Sequence, residues 1–272
     1  SMSDASPVLL TPDVVGGLAG KRVLVVGDIM LDAYLIGDAD RISPEAPVPV
    51  VRIEKERYLL GGAGNVARNI VALGGVATLA GVMGKDASAD RIRGLVRDES
   101  ICGAFVTLPQ RPTTVKTRVM ARRQQMLRLD SEDASQLSSA DQESLLSVIA
   151  EQLPPHDVVI LSDYSKGIVS LSFMSRLRGL LAASPHQVKI LIDPKPSNVG
   201  LYGGSFLLTP NTKALPSVRQ NEFSKRDCNA HIHSNPMTHT MLNANFGISS
   251  GVICSTIHEY TLIAPAMPKI SQ

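Results

Sequence analysis

A glycine-rich stretch, GGAGN (61–65), is followed directly by an apolar helical pattern. Glycines at a helix start let a ligand approach the backbone closely, where N–H groups and the positive end of the helix dipole attract oxygen atoms. Asn65 can donate and accept hydrogen bonds at once, which suits a sugar hydroxyl. The stretch predicts a site for an oxygen-rich ligand, and the alternative is a plain glycine turn.

Two carboxylates follow the apolar run KRVLVVG (21–27), which is typical of a buried parallel strand. Asp28 and Asp32 would lie just past the carboxyl end of this strand, where open α/β sheets bind their ligands. We expect Asp28 to cap a turn and Asp32 to face the site.

Residues 113–129 are strand-like and dense in cations. Strand alternation predicts that four cations share one face and that Arg123 lies on the other. The four are Lys116, Arg118, Arg122 and Arg128. A solvated sheet face would explain them, but four cations on one face would also attract phosphate, which Arg binds in bidentate geometry. Both interpretations remain open from these residues alone.

The elements that would position these residues alternate along the chain. Short apolar runs predict strands at 21–27, 76–82, 104–108, 157–161, 188–192 and 205–208. Helical patterns lie between them at 63–73, 86–97, 138–152 and 170–183. Such alternation predicts a parallel α/β sheet with its polar site along one edge. The proline-punctuated segment 41–60 predicts an edge strand or flap outside that sheet.

The composition excludes several classes of protein. A net charge of +2 and the lack of a Lys/Arg block give no argument for nucleic-acid binding. No apolar run reaches membrane-spanning length, and residues 1–20 lack the pattern of a signal peptide. We therefore expect a cytoplasmic protein that binds neither nucleic acid nor membrane.

Eight segments together resemble the PfkB/ribokinase family of carbohydrate kinases. They are VVGDIMLDAY (25–34), RISPEAPVPVV (41–51), GGAGNVARN (61–69), TTVKTRV (113–119), QQMLRLD (124–130), LSDYSKG (161–167), LIDPKP (191–196) and LLTPN (207–211). Three of these texts, RISPEAPVPV, LSDYSKG and IDPK, are most similar to the heptose 7-phosphate kinases of that family.

The resemblance implies a ribokinase-like α/β core over residues 21–213, with a mainly parallel sheet flanked by helices. It also implies a small β-sheet lid with strands near 41–60 and 104–129. Such lids commonly pair with that of a second subunit, so we expect a homodimer. Residues 1–20 would form an N-terminal extension.

The implied activity is transfer of the ATP γ-phosphoryl group, with Mg²⁺, to O1 of heptose 7-phosphate, a step of ADP-heptose biosynthesis. By the family's pattern, the residues that bind the sugar would be Asp32, Gly61, Gly62, Asn65 and Asp163. The residues that bind the sugar phosphate would be Lys116, Arg118 and Arg128. The residues near the nucleotide would be Lys195, Asn211, Thr212 and Lys213.

The chain departs from the family after residue 211. The family's Asn-x-x-Glu motif has Ala214 in place of glutamate, and the Gly-Ala-Gly-Asp motif, which supplies the anion hole and the general base, occurs nowhere in the sequence. Residues 214–272 do not resemble the family, which is typical of a frameshifted or spliced-in segment and predicts a poorly ordered tail. Loss of a general base alone costs about 10²–10⁴-fold in rate. We expect impaired catalysis, with no catalytic residue assigned.

Two other classes of protein are alternatives. One is a catalytically dead protein that binds a sugar phosphate or dimerises. The other is a dinucleotide-binding oxidoreductase, whose GxGxxG fingerprint should follow the first strand. That place holds GDIMLD (27–32) instead, which argues against the oxidoreductase.

Overall fold

The computed structural model describes residues 16–185, 187–210 and 231–232, and its main sheet has seven strands. The order across the sheet is β11-β10-β9-β8-β1-β4-β5, and all its pairings are parallel. The strands are β1 (Arg22–Gly27), β4 (Val76–Met83), β5 (Cys102–Thr107), β8 (Val158–Ser162), β9 (Lys189–Asp193), β10 (Leu207–Leu208) and β11 (His231–Ile232). The central strands β1 and β8 are almost wholly buried, as their runs of Val, Ile and Leu predict.

In the part of the chain that the structure describes, four α-helices connect the strands, and three of them begin with a side-chain cap. They are α1 (Ala63–Ala72), α2 (Ala87–Asp98), α3 (Ser139–Gln152) and α4 (Leu171–Ala182). The capping side chains of Asp86, Ser138 and Ser170 accept the backbone N–H three residues on, at α2, α3 and α4 respectively. A 3₁₀ helix, Pro196–Leu201, follows β9. Within the described residues, no helix is long and apolar enough to cross a membrane.

Helices cover both faces of the main sheet. One apolar core contains Val66 and Ile70 of α1 with Ile92 of α2. The other contains Leu145 of α3 and Phe173 of α4. The predicted parallel α/β core is therefore confirmed, with the sheet between two helical layers.

The strand order reverses between β1 and β8. From β1 the chain adds β4 and β5 on one side and then β8, β9 and β10 on the other. In open α/β sheets a ligand binds in the crevice outside the carboxyl ends of the strands at such a switch point. Here those ends are Gly27 and Ser162, which are paired.

A second sheet of four strands, in the order β3-β2-β6-β7, forms the lid. Its strands are β2 (Ile29–Ile42), β3 (Pro49–Gly62), β6 (Thr114–Ala121) and β7 (Gln124–Ser131). The pairing of β2 with β6 is parallel, and the other two pairings are antiparallel. Because β2 begins just after β1 and β3 ends where α1 begins, the hairpin of β2 and β3 is connected directly to the core at both ends.

The lid differs from the sequence-based expectation in three places. Residues 102–107 form β5 of the main sheet, so the second lid segment begins at Thr114 rather than near 104. The first segment begins at Ile29, well before residue 41. Arg122 and Arg123 form a hairpin turn with φ of 49° and 67°, because a two-residue connection needs positive φ at both positions. Arg122 therefore does not belong to the strand face predicted for it.

The predicted tail, 214–272, lies almost wholly outside the described residues. Within it the structure describes the two residues of β11, which pair in parallel with Leu207 and Leu208.

Candidate functional site

Asp28 ties three segments together at the switch point. Its backbone carbonyl accepts the Ala63 N–H at the start of α1, at 2.9 Å. Its carboxylate accepts the N–H groups of Tyr164 and Lys166, at 2.7 and 3.1 Å. The residue is 3% exposed, and burial raises the pKa of its carboxyl group to about 6 despite the Tyr164 hydrogen bond. Asp28 therefore fixes the loop after β8.

Asp163 lies at the carboxyl end of β8, and its carboxylate is held by three donors. The backbone N–H of Ser165 lies at 2.7 Å, Nδ2 of Asn198 at 2.7 Å, and the Tyr202 hydroxyl at 2.6 Å. These bonds join the loop after β8 to the 3₁₀ helix, and the side chain is buried. The structure thus gives Asp163 a part in the wall of the site, and its role as a sugar ligand stays a prediction.

Asp32 lies against the glycine-rich turn. A Cβ atom on Gly61 would come within 2.6 Å of the Asp32 carboxylate, so this approach requires glycine. Gly62 has a φ of 55°, and a Cβ there would lie 2.3 Å from the Asp28 carbonyl oxygen. Asn65 lies in the first turn of α1, and its Oδ1 accepts Nη2 of Arg68 at 2.6 Å. Asp32 and both glycines therefore converge where α1 begins.

The strand register places three lid cations on the face that contains Asp32. Asp32 lies opposite Lys116, and Lys116 lies opposite Asp130. In the next row Arg118 lies between Tyr34 and Arg128. Residues opposite one another, and residues two apart along a strand, share a face. Of the four cations predicted to share one face, Lys116, Arg118 and Arg128 do so, and Arg122 lies in the hairpin turn instead.

Each of these three cations contacts a carboxylate. Arg118 Nη1 lies 2.6 Å from Oδ1 of Asp32. Lys116 Nζ lies 3.0 Å from Asp130, and Arg128 Nε lies 2.9 Å from the same carboxylate. The face that the sequence presents as cationic is therefore a mixture of both signs.

Sequence reasoning missed the continuation of these pairs into the core. Glu132 follows β7, and its carboxylate lies 3.3 Å from Lys116 Nζ and 2.7 Å from Lys166 Nζ. The Lys166 hydrogen bond lowers the pKa of the Glu132 carboxyl group. The sequence signal that could have identified Lys166 is its place in the LSDYSKG segment. The Asp28 carboxylate fixes the Lys166 backbone.

Arg111 was also missed, and it lies where the chain passes from β5 into the lid. Its guanidinium donates to the carbonyl oxygens of Asp133, Ser135 and Lys166, at 2.5, 2.9 and 2.7 Å. One side chain therefore joins the entry to the lid, the exit from the lid and the loop after β8.

Of the four residues predicted to lie near the nucleotide, the structure describes Lys195 alone. Lys195 follows β9, and its exposed side chain fits a phosphate group. The other predicted nucleotide residues, Asn211, Thr212 and Lys213, lie outside the described part of the chain. Within that part no group of three or more His, Cys, Asp or Glu side chains could hold a metal ion. No Mg²⁺ ligand is assigned.

Comparison with known proteins finds several similar sequences. The chain is 45% identical over 195 residues to a D-beta-D-heptose 7-phosphate kinase of Bordetella bronchiseptica, an alignment covering 71% of this chain and 60% of the relative. It is 46% identical over 208 residues to a bifunctional protein HldE of Shewanella piezotolerans, covering 76% of this chain and 42% of the relative. The chain thus spans between two fifths and three fifths of the length of these two relatives.

Solved structures with the same fold include phosphofructokinase-2 from Escherichia coli in complex with substrates and products. The TM-score is 0.59 at 20% identity, covering 75% of this chain and 65% of that one. The model of the pfkB family of carbohydrate kinases matches residues 21–222, which is well over half of the chain and extends past residue 213. The chain belongs to the pfkB family of carbohydrate kinases.

Proposed function

We propose that this protein binds D-glycero-β-D-manno-heptose 7-phosphate and that an intact homologue of it phosphorylates O1 with ATP and Mg²⁺ in ADP-heptose biosynthesis. The observation behind this proposal is the shared face of Asp32 and three lid cations beside the glycine turn. The named relatives at 45–46% identity support the choice of sugar.

The face that contains Asp32 and the lid cations has one part suited to sugar hydroxyls and another suited to a phosphate group. A carboxylate such as Asp32 accepts hydrogen bonds from sugar hydroxyls, and the N-terminal turn of α1 attracts further oxygen atoms. Arg118 and Arg128 can bind a phosphate in bidentate geometry, and Lys116 adds a point charge. The distal phosphate of the substrate would lie under the lid, while its reacting hydroxyl would lie at the core.

Phosphoryl transfer then needs a nucleotide, charge neutralisation and a base at the hydroxyl. ATP would supply the transferred group and Mg²⁺ would neutralise its charge. The groups on this chain that position the sugar are Asp32 and the lid cations. Lys195 would approach a nucleotide phosphate.

Calorimetric titration of the whole chain with heptose 7-phosphate and with unphosphorylated heptose tests the substrate. We expect the phosphorylated sugar to bind at least about tenfold tighter, since charge-assisted bonds to phosphate contribute about 1.5–3 kcal/mol each. Arg128→Met should reduce the preference for the phosphorylated sugar, whereas Arg93→Met, at a partly exposed cation of α2, should leave that preference unchanged. Equal affinity for the two sugars would show that the substrate is wrong.

A second candidate is a catalytically inactive protein that binds the same sugar phosphate. The specific observation in its favour is the lack of a Gly-Ala-Gly-Asp motif anywhere in the sequence. Binding of the sugar phosphate without release of ADP would favour this candidate.

We also propose a homodimer joined through the lid and a cytoplasmic location. The lid sheet has two edge strands, β3 and β7, and a second face with exposed leucines. Exposed sheet edges and apolar faces are commonly covered by a partner subunit.

A further inference from the structure

An ion-pair ladder of alternating sign runs from the lid into the core. Its members, in order, are Arg128, Asp130, Lys116, Glu132 and Lys166. Four of the five side chains are largely shielded from solvent, and Arg128 at the outer end is about half exposed. The cations proposed to receive the sugar phosphate are therefore already neutralised by the chain itself.

Asp130 occupies the place in this ladder that a phosphate would need. Its Oδ1 accepts Arg128 Nε at 2.9 Å, and its Oδ2 accepts Arg128 Nη2 at 3.1 Å. The same Oδ2 also accepts Lys116 Nζ at 3.0 Å. Two oxygens that engage an Arg fork and a Lys at once reproduce the contacts made by a bound phosphate.

Glu132 differs from Asp130 in what it joins. It bridges Lys116 of the lid to Lys166 of the core, and Asp28 fixes the Lys166 backbone. Displacement of Asp130 alone would free Arg128 and one contact of Lys116, while Glu132 would still hold Lys116 near the core.

We propose that Asp130 is an internal counter-ion that occupies the phosphate subsite, keeps Lys116 and Arg128 in binding geometry, and is displaced by the substrate phosphate. Asp130 thereby acts as a specificity-determining residue. An anion binds only where it replaces the contacts to both cations, which a phosphate can do with several oxygens and a single-atom anion cannot. This inference rests on the proposed function, because it concerns the same subsite.

Inorganic phosphate is the probe, and its dissociation constant for the full chain is measured by calorimetry at fixed ionic strength. Asp130→Asn keeps the size of the side chain and removes its charge, so phosphate should bind about threefold tighter or more. Asp90→Asn is the matched control, because Asp90 also pairs with an arginine, Arg93 at 3.2 Å, but lies on α2. It should leave phosphate affinity unchanged.

Adding Lys116→Met to the Asp130→Asn variant should remove the gain, which would attribute it to the released cation. Asp130→Ser provides a second test of the same charge removal. Unchanged or weaker phosphate binding in both Asp130 variants, an equal gain in Asp90→Asn, or no phosphate binding by any variant would overturn the inference.

The outcome is separable from that of the proposed function. If phosphate binding responds to Asp130 as expected but heptose 7-phosphate fails to bind, the substrate is wrong and the counter-ion role stands. If heptose 7-phosphate binds, but neither its affinity nor that of phosphate changes in the Asp130 variants, the counter-ion role is wrong and the proposed substrate stands.

Discussion

Asp28 organises the site, but its burial makes the fold less stable when its carboxyl group is ionised. Its pKa of about 6 in the fold exceeds the ordinary value of 3.8 because burial disfavours the charged form. The folded state therefore keeps the proton over a pH range in which the unfolded state has released it. The pKa shift of Asp28 therefore adds to the unfolding free energy below about pH 4, and this contribution is lost as pH rises through about 6.

Asp28→Asn removes this pH dependence, because the amide cannot ionise. Between pH 5 and pH 7 we expect the unfolding free energy of the variant to gain about 1 kcal/mol relative to the unmodified chain. Urea unfolding at several pH values measures the difference. A constant difference across that range would mean that Asp28 is charged at both ends of it.

Gly61 decides how closely the turn approaches Asp32. Gly61→Ala would place a Cβ 2.6 Å from the Asp32 carboxylate and 2.8 Å from Met30 Cγ, so the carboxylate must move. We expect heptose 7-phosphate to bind about tenfold more weakly or worse, since small displacements at a site have large effects. Overpacking should also lower stability by about 1–3 kcal/mol.

Gly179→Ala is the matched control for this substitution. Gly179 lies inside α4, and an added Cβ would meet nothing within 4 Å. We expect a gain of about 0.5–1 kcal/mol in stability and unchanged binding of heptose 7-phosphate. For both glycine variants, calorimetric titration measures the binding and thermal unfolding measures the stability. Unaltered binding in Gly61→Ala would show that the close approach of turn and carboxylate is not needed.

At the scale of the elements, local signals predicted the core well. Apolar runs such as that of β8 act within a few residues, so the sequence reveals them. The lid was harder to delimit. β2 continues through the polar segment GDADR (37–41) because its pairing with β3 fixes it, and that pairing is not visible in local composition.

The site was predictable in its strand faces and in the glycine turn beside Asp32. Alternation with a period of two correctly placed Lys116, Arg118 and Arg128 on one face, but it wrongly added Arg122, because the strand ends at Ala121. Contacts between distant segments could not be predicted from local sequence. Lys166 and Glu132 are 34 residues apart in the chain, and Asp28 and Lys166 are 138 residues apart. Such pairs depend on the topology that brings β8 beside β1.

Arg111 is the residue that couples these elements, so its removal should loosen the lid. Arg111→Met leaves the carbonyl oxygens of Asp133, Ser135 and Lys166 without this donor. We expect faster amide hydrogen exchange at 131–137 and 164–168 and a loss of about 1–3 kcal/mol in stability. Arg97→Met, at an exposed cation in the last turn of α2, controls for loss of charge. Protection that is unchanged in both segments would contradict the coupling.

At the scale of the whole molecule, the lid has two unlike faces. The face opposite the cations is apolar, with rows Leu35–Val119–Leu127 and Ala33–Thr117–Leu129 across the strands. Leu127 and Leu129 are 53% and 52% exposed in the single chain. An apolar face backed by a polar binding face suits a dimer in which each lid covers the other while both sites stay open.

Leu129→Asp should therefore convert a dimer into a monomer, because it would bury a charge in the apolar interface. Sedimentation velocity at micromolar concentration measures the change. Leu171→Asp is the control, since Leu171 is 70% exposed but begins α4, outside the lid. A monomeric unmodified chain would rule out the interface.

Turnover is the property in which this chain should differ most from its relatives. The described residues carry the proposed sugar-phosphate site, but a kinase of this family also needs a carboxylate at the acceptor hydroxyl and backbone N–H groups at the transferred phosphate. After Asn211 the sequence has three acidic residues, Glu222, Asp227 and Glu259, and none lies in a glycine-rich motif. We therefore expect this chain to phosphorylate heptose 7-phosphate at least about a hundredfold more slowly than the Bordetella relative. A coupled assay of ADP release on both proteins measures the ratio. Near-normal turnover that Asp32→Ala abolishes would contradict this expectation and would mean that residues 214–272 supply the missing base.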